Sequence, residues 1–383
     1  MKKYITILLF LFLFFYFTHL FAGENSRTTA TDDEKTEESA LKKKCKNRVI
    51  AAPILFYSPE TRLGFGGAGS YIFHMAGCEE NIRNSTRTRP SSISPFVLYT
   101  QKKQFIAQLG ADLYFKNNDY HLTGEIKFLK YPDKFFGVGS FTPEEAEEDY
   151  TSKSASLFLS LLKKLGKGFN IGVQYHVMDW KIVETEGEGE LVDGTLPGSR
   201  EGTISGISLV VNHDTRDNIF FPMKGDFVEL NARVYKKFLG SDFDFTDLTL
   251  DARKYVKLFS SHVLAFQSLV KIQSGTVPFL SLARMGGPFV MRGYFEGRFR
   301  DKNLLVFQTE YRMPLFWRLG MVGFAGFGNV AEKFSHLRLG ELRASYGFGL
   351  RFLFDQKEKI QVRMDIAFGE NSTGFYFSIY EAF

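Results

Sequence analysis

The chain is poor in cysteine, tryptophan and long apolar runs. Two Cys and two Trp in 383 residues exclude a multi-disulfide scaffold, and Cys45 and Cys78 form no metal-spaced Cys/His cluster. The seven His are scattered, so no Ser/His or Asp/His constellation for hydrolysis can be read. His213, beside Asp214 and Asp217, reads as a turn residue. There is no phosphate-binding glycine loop, and no catalytic group, metal or cofactor is expected. Past Phe17 no segment offers about 18 uninterrupted apolar residues, which excludes a further spanning helix. A net charge of +5, lower by two without Lys2 and Lys3, is too weak to suggest a nucleic-acid partner.

What is present begins with an export signal. Lys2 and Lys3 precede an apolar run from Tyr4 to Phe17, then small residues at Ala22 and Gly23, the layout of a signal peptide over residues 1–22. Residues 23–48 are charged and polar, and read as a disordered lead-in. A bond between Cys45 and Cys78 is permitted in the compartment beyond. An exported chain without a helical anchor is either soluble or a β-barrel.

The rest favours the barrel, over residues 49–383. There are 42 Phe, 17 Tyr and 35 Gly, with a slightly negative mean hydropathy, as expected where half of each strand faces lipid and half faces water. Phe105, Ala107, Leu109, Ala111, Leu113 and Phe115 share one face, with Gln104, Gln108, Asp112 and Lys116 on the other. Such segments recur at 10 to 14 residues, longer than sandwich strands usually are. The expected strands are 49–58, 62–75, 91–101, 104–116, 119–130, 151–164, 168–182, 203–213, 225–236, 245–257, 262–273, 302–313, 318–330, 343–354, 359–369 and 373–383. This makes an all-β, sixteen-stranded antiparallel transmembrane barrel. An even number puts both ends in the periplasm and the long connections 131–150, 183–202, 275–301 and 331–342 outside. The connections at 76–90 and 214–224 are long for periplasmic turns.

Sixteen strands enclose a lumen too wide for side chains to fill, so a segment must plug it or it conducts water. The sixth exterior loop, 275–301, is the natural plug. Gly286, Gly287, Gly293 and Gly297 let its backbone pass close to the wall, and the guanidinium of Arg292 is a rigid fork of donors suited to a wall carboxylate. Glu310 shares a lumen face with Gln308 and Arg312, and Asp365 is lumen-facing on its strand. The plainer alternative is that Arg292, Arg298 and Arg300 are solvated loop charges.

Four stretches carry a resemblance. They are Met291, Arg292, Gly293 and Tyr294; NHDTRDNIFFPMKG, residues 212–225; SYGFGLRF, residues 345–352; and the aromatic-ended final segment TGFYFSIYEAF. In order, they resemble the BamA/TamA superfamily of outer-membrane proteins, or bacterial surface antigens. The first is similar to that family's Val-Arg-Gly-Phe/Tyr loop signature. The second is similar to its turn motif, carried here by Asp214, Arg216, Asp217, Phe221, Pro222 and Gly225. The resemblance implies that Phe383 is a C-terminal barrel signal and that Glu310 is the wall partner of Arg292. The family's second acidic partner is replaced by Gly326, and Asp365 could substitute for it.

The resemblance implies a barrel in the bacterial outer membrane that assembles or translocates protein or lipid, in a member without periplasmic transport domains. Its partners would be outer-membrane lipids, the barrel assembly machinery for its own insertion, and a separate periplasmic protein. A passive porin-like channel, or a surface antigen acting through loops 131–150 and 183–202, is the alternative.

Overall fold

The computed structural model describes residues 47–73, 89–116, 118–259, 261–355 and 360–383. The expected signal peptide, most of the expected lead-in, Cys45, Cys78, Asn117 and most of the 76–90 connection lie outside them. Eighteen strands follow in chain order: β1 Arg48–Ser58, β2 Arg62–Phe73, β3 Ser91–Thr100, β4 Phe105–Phe115, β5 Tyr120–Phe135, β6 Glu148–Gly166, β7 Phe169–Glu186, β8 Glu201–Asp214, β9 Gly225–Tyr235, β10 Phe245–Lys257, β11 Val263–Gly275, β12 Ala283–Met285, β13 Phe299–Asp301, β14 Asn303–Pro314, β15 Leu319–Ala331, β16 Arg343–Asp355, β17 Ile360–Gly369 and β18 Ser372–Ile379. All but β12 and β13 form one closed antiparallel barrel of sixteen strands. β12 and β13 pair with each other as a hairpin within the β11–β14 connection, an element the sequence pattern does not announce. Among the described residues no helix is long and apolar enough to cross a membrane.

Period-two alternation builds this wall, because directly opposed residues of an antiparallel pair share a face. In β4, Phe105 and Leu109 are exposed on the outside. The opposite face runs from Asp112 against Thr123 and Ser160 against Gln174 to Glu310 against Phe324 and Asp365 against Tyr376. The inside is therefore polar, while the outside presents Phe128, Leu159, Leu209, Leu230, Phe307 and Phe348.

Two expectations need correction. Pairing of β5 with β6 continues to Phe135 opposite Glu148, and β7 runs on to Glu186. The two connections are thus 136–147 and 187–200, shorter than the expected 131–150 and 183–202. Beyond the membrane the outer face of these strands meets water while the inner face buries Phe135, Tyr150 and Trp180, so the lipid-side alternation is lost there while pairing persists. The Tyr150 hydroxyl donates to Asp133 at 3.0 Å, and Phe135 and Tyr150 pack edge-on against Phe279.

The second correction concerns the final strand, which ends at Ile379 and not at Phe383. Tyr380 takes a φ of 67°, turning the backbone out of the sheet, and its ring stacks on Phe220 at 5.0 Å. Glu381 accepts from Arg351 Nε at 2.8 Å. Phe383 packs with Tyr255, Val263, Ala265 and Ala382, and its carbonyl accepts from Arg312 Nη2 at 2.9 Å. A last aromatic residue aimed at lipid would need the strand to continue; here the inner face of β10, β11 and β14 takes it up.

The closure of the barrel is uneven. β1 pairs with β2 along its whole length, from Arg48 opposite Ile72 to Ser58 opposite Arg62, but meets β18 at Tyr57 opposite Phe377 alone. Pro53 sits mid-strand in β1 and has no N–H to give, a residue confined to edges within sheets. The departure of the chain at Tyr380 removes partners from the other side.

Phe383→Ala should cost on the order of 3 kcal/mol, as for a buried aromatic truncated to a cavity. Urea unfolding followed by the heat-dependent gel shift measures it. A loss within about 0.5 kcal/mol, the range for surface changes, would show that the tail is not packed.

Candidate functional site

The β11–β14 connection, residues 276–302, brings the loop signature to the inner face of the wall. Arg292 is 2% exposed. Its Nη2 donates to Glu310 Oε1 at 2.5 Å and its Nη1 to Asp365 Oδ2 at 2.7 Å, while its guanidinium lies 3.6 Å from the centre of the Phe324 ring. One planar fork thus bridges β14 and β17 across β15 and β16, which lysine could not do. Glu310 and Asp365, the expected wall partner and the substitute for the second acidic partner, are held by the same fork.

Each carboxylate has a second arginine on its other oxygen. Arg312 Nε donates to Glu310 Oε2 at 2.8 Å, and Arg351 Nη1 to Asp365 Oδ1 at 2.6 Å. Arg363, directly opposite Arg351 in the sheet, lies 3.5 Å from Asp365 and donates to the loop carbonyl of Pro288 at 2.8 Å. Four guanidiniums therefore share Glu310, Asp365 and Glu381, all of them buried. Buried charges persist only when paired and hydrogen-bonded.

The backbone around Arg292 is fixed as closely. Met291 N–H donates to Gln308 Oε1 at 2.8 Å, and Met291 holds a φ of 56°, unusual for a side chain of its size. Gly293 has a φ of +109°, and a Cβ there would meet the Phe368 carbonyl carbon at 2.8 Å, so glycine is required. The N–H of Gly293 donates to the Tyr376 hydroxyl at 3.1 Å. The Tyr294 hydroxyl donates to the Ala344 carbonyl at 2.7 Å and accepts from Glu370 N–H at 2.9 Å.

Further along, the loop meets other loops. Arg298 donates to the Thr142 hydroxyl and carbonyl, both at 2.7 Å, and Arg300, 1% exposed, donates to the Lys134 carbonyl at 3.0 Å. These are structural contacts, not solvated charges. Glu296 N–H donates to Glu60 Oε1, in the β1–β2 turn, at 3.0 Å. Burial pushes the Glu60 carboxyl up from its ordinary range, opposed by hydrogen bonds and assisted by the Glu296 charge.

The turn motif at 214–225 stands apart from this cluster. Arg216 Nη2 pairs with Asp214 Oδ2 at 2.8 Å. Asp217 accepts from the N–H groups of Met223 and Lys224, Pro222 is buried, and Gly225 has a φ of 104°. Its residues close a turn between β8 and β9, and Phe221 is part-buried there. His213 lies in β8 and not in the turn, because it still pairs with Phe169 across the sheet, and the two rings meet at a tilt. Among the described residues no acidic, His or Cys group could hold a metal ion.

Sequence reasoning passed over Arg351, Arg363, Tyr376, Glu381 and Glu60. The inward positions of β16 and β17 were readable. But Arg351 opposite Arg363 is a like-charge pair that looks repulsive until Asp365 and Glu381 are placed beside it.

A model of the Omp85 superfamily domain matches residues 97–383. No curated protein sequence matches. Among solved structures, BamA from Haemophilus ducreyi lacking POTRA domains 1–3 superposes with a TM-score of 0.61 at 14% identity, over 88% of this chain and 71% of that one. CdiB from Acinetobacter baumannii gives 0.54 at 13%, over 87% and 59%. CdiB from Escherichia coli gives 0.56 at 9%, over 87% and 63%. The chain thus spans less than two thirds of either CdiB structure.

Arg292→Ala should destabilise the barrel by about 3 to 5 kcal/mol, since it strands two buried carboxylates, and Arg292→Lys should recover little. Double-mutant cycles with Glu310→Ala and with Asp365→Ala should each show coupling of about 0.5 to 3 kcal/mol. Additivity in both would mean that the fork does not join them. Glu60→Gln tests the turn contact separately. With its folded pKa raised, Glu60 contributes stability below the ordinary carboxylate pKa and loses it as pH rises through the raised value. The neutral variant should therefore match the native protein near pH 4 and exceed it in melting temperature near pH 8. Equal melting temperatures at both pH values would show that the buried charge costs nothing.

Proposed function

This chain belongs to the Omp85 superfamily, and from that premise we propose that it is a plugged outer-membrane barrel that passes a polypeptide or lipid substrate through its β1–β18 seam. The single observation that carries this is the contrast between plug and seam. Loop 276–302 is tied to the wall by desolvated ion pairs at Arg292, whereas the sheet closes at Tyr57 and Phe377 alone. A standing pore has no use for so firm a plug, and a permanently shut cylinder none for so weak a seam.

On this reading the long-loop end faces the exterior. The loop signature at Met291, Arg292, Gly293 and Tyr294 anchors the plug, with Glu310 and Asp365 as its wall partners. The 214–225 turn and the tail at Phe383 lie at the periplasmic end. The chemistry is transfer rather than catalysis. Partners are the surrounding lipids, the machinery that inserts the barrel, and a periplasmic protein that delivers the substrate.

The mature protein should sediment with outer membranes and shift its gel mobility on heating. In planar bilayers the intact barrel should show low or flickering conductance that rises when residues 288–300 are deleted. A disulfide between cysteines introduced as Tyr57→Cys and Phe377→Cys should suppress the flicker and leave the deletion-induced conductance intact. Steady, large conductance in the intact protein, unaffected by the deletion, would instead identify a porin.

A further inference from the structure

The inner face changes character beside the seam. Followed through the register, β1 turns Ile50, Ala52, Ile54 and Phe56 inward, opposite Ser70, Ala68, Gly66 and Gly64 of β2. β3 adds Phe96 and Leu98 to the same face. From Arg48 at one end to Arg62 at the other, the inner face of these three strands carries no acidic or basic side chain, whereas the far wall carries Glu229, Arg233, Asp251 and Arg253. The outer face there is apolar too, with Val49, Leu55, Phe65 and Val97. Ile50 is 53% exposed, and Ile54, Phe56 and Phe96 are partly so. A contiguous apolar patch left partly exposed on the inner face of a barrel marks something that binds there.

We propose that the substrate carries an acyl chain, and that the hydrocarbon lies along this inner stripe after entering at the seam, with an anionic head group met by Arg48 or Arg62. The inference rests on the transfer reading and names its substrate class. Three observations point to hydrocarbon rather than peptide. The stripe starts at β1, the strand whose free edge is the seam, so it continues the membrane inward. β2 and β3 are paired on both sides and β1 on its β2 side, and the unpaired edge of β1 points along the sheet towards the seam, so a peptide laid across the inner stripe would strand its own polar groups. From Ile50 to Phe56 the stripe runs ~20 Å, enough for one acyl chain, which spans half of the ~30 Å hydrocarbon core.

The test places photoreactive benzoylphenylalanine singly at positions 54, 65, 96 and 231 of the full chain, reconstituted in phosphatidylethanolamine–phosphatidylglycerol vesicles. Phe65 faces outward and is 53% exposed, so it reports ordinary lipid contact and confirms insertion. Asn231 faces inward on the charged wall, where it donates to Gln174. Lipid adducts at 54 and 96 should come close to those at 65 and exceed those at 231 by about tenfold, a difference of ~1.4 kcal/mol in occupancy. Adding Ala68→Glu, which puts a charge between Ala52 and Phe96, should bring 54 and 96 down to the level of 231 and leave 65 unchanged. Inner positions no better than 231, or adducts there to polypeptide, to a second copy or to residues 1–46, would overturn the acyl chain as occupant. The plug-and-seam reading would then still stand or fall on its conductance.

Discussion

The rest of this structure depends on one desolvated fork. Arg292 carries a single charge to two carboxylates, Glu310 and Asp365, that sit on strands separated by two others. A buried pair of this kind is weak evidence for stability, because the desolvation of three ions consumes most of the attraction between them. Its effect is on uniqueness. This placement of the loop satisfies both carboxylates, the Gln308 amide and the Tyr376 hydroxyl together, which gives the loop a defined register against the wall.

The same carboxylates pass that definition downward. Each offers one oxygen to Arg292 and the other to an arginine of the wall, Arg312 or Arg351, and those two grip the chain at Phe383 and Glu381. Loop and tail are thus held by opposite sides of the same two groups. Loss of the loop contact would leave Glu310 and Asp365 with surplus charge and strengthen their hold on the wall arginines, changing what those arginines can offer the tail.

Much of the barrel was legible in the sequence because lipid on one side and water on the other enforce period two, as from Phe105 to Phe115. Legibility ended where that contrast ends. Above the membrane β5, β6 and β7 continue as paired strands whose outer face is wet and whose inner face packs on loop residues such as Phe279, so with no lipid contrast Asp133, Lys134 and Asp149 look like loop. At the seam β1 is apolar on both faces, and composition alone does not say which neighbour it fails to pair with. The turn at Tyr380 was hidden for a similar reason: TGFYFSIYEAF alternates well enough to read as strand throughout, and only the pocket around Tyr255 and Val263 shows where Phe383 goes. For the candidate site, Arg292 stood out by residue type and glycine context. Its partners were less determinate, since a guanidinium with five donors can serve one carboxylate or two, and no strand pattern in the sequence reports the width of β15 and β16 between them.

The charges are distributed around the wall in keeping with the seam. Holding a plug and a tail requires ionised groups, and each must be buried and paired, so they cluster on β14 to β17, where a continuous ladder keeps their geometry fixed. A charge on β1 would be costly, because the β18 side of that strand is unpaired beyond Tyr57 and offers no partner to hold it away from lipid. Instead β1 to β3 are uncharged between Arg48 and Arg62 on both faces, and their contact with hydrocarbon, from outside or inside, costs little. On β14 to β17, by contrast, an unbroken ladder keeps each buried charge beside its counter-ion, and the loop and the tail are held from the side of the wall that is fully paired.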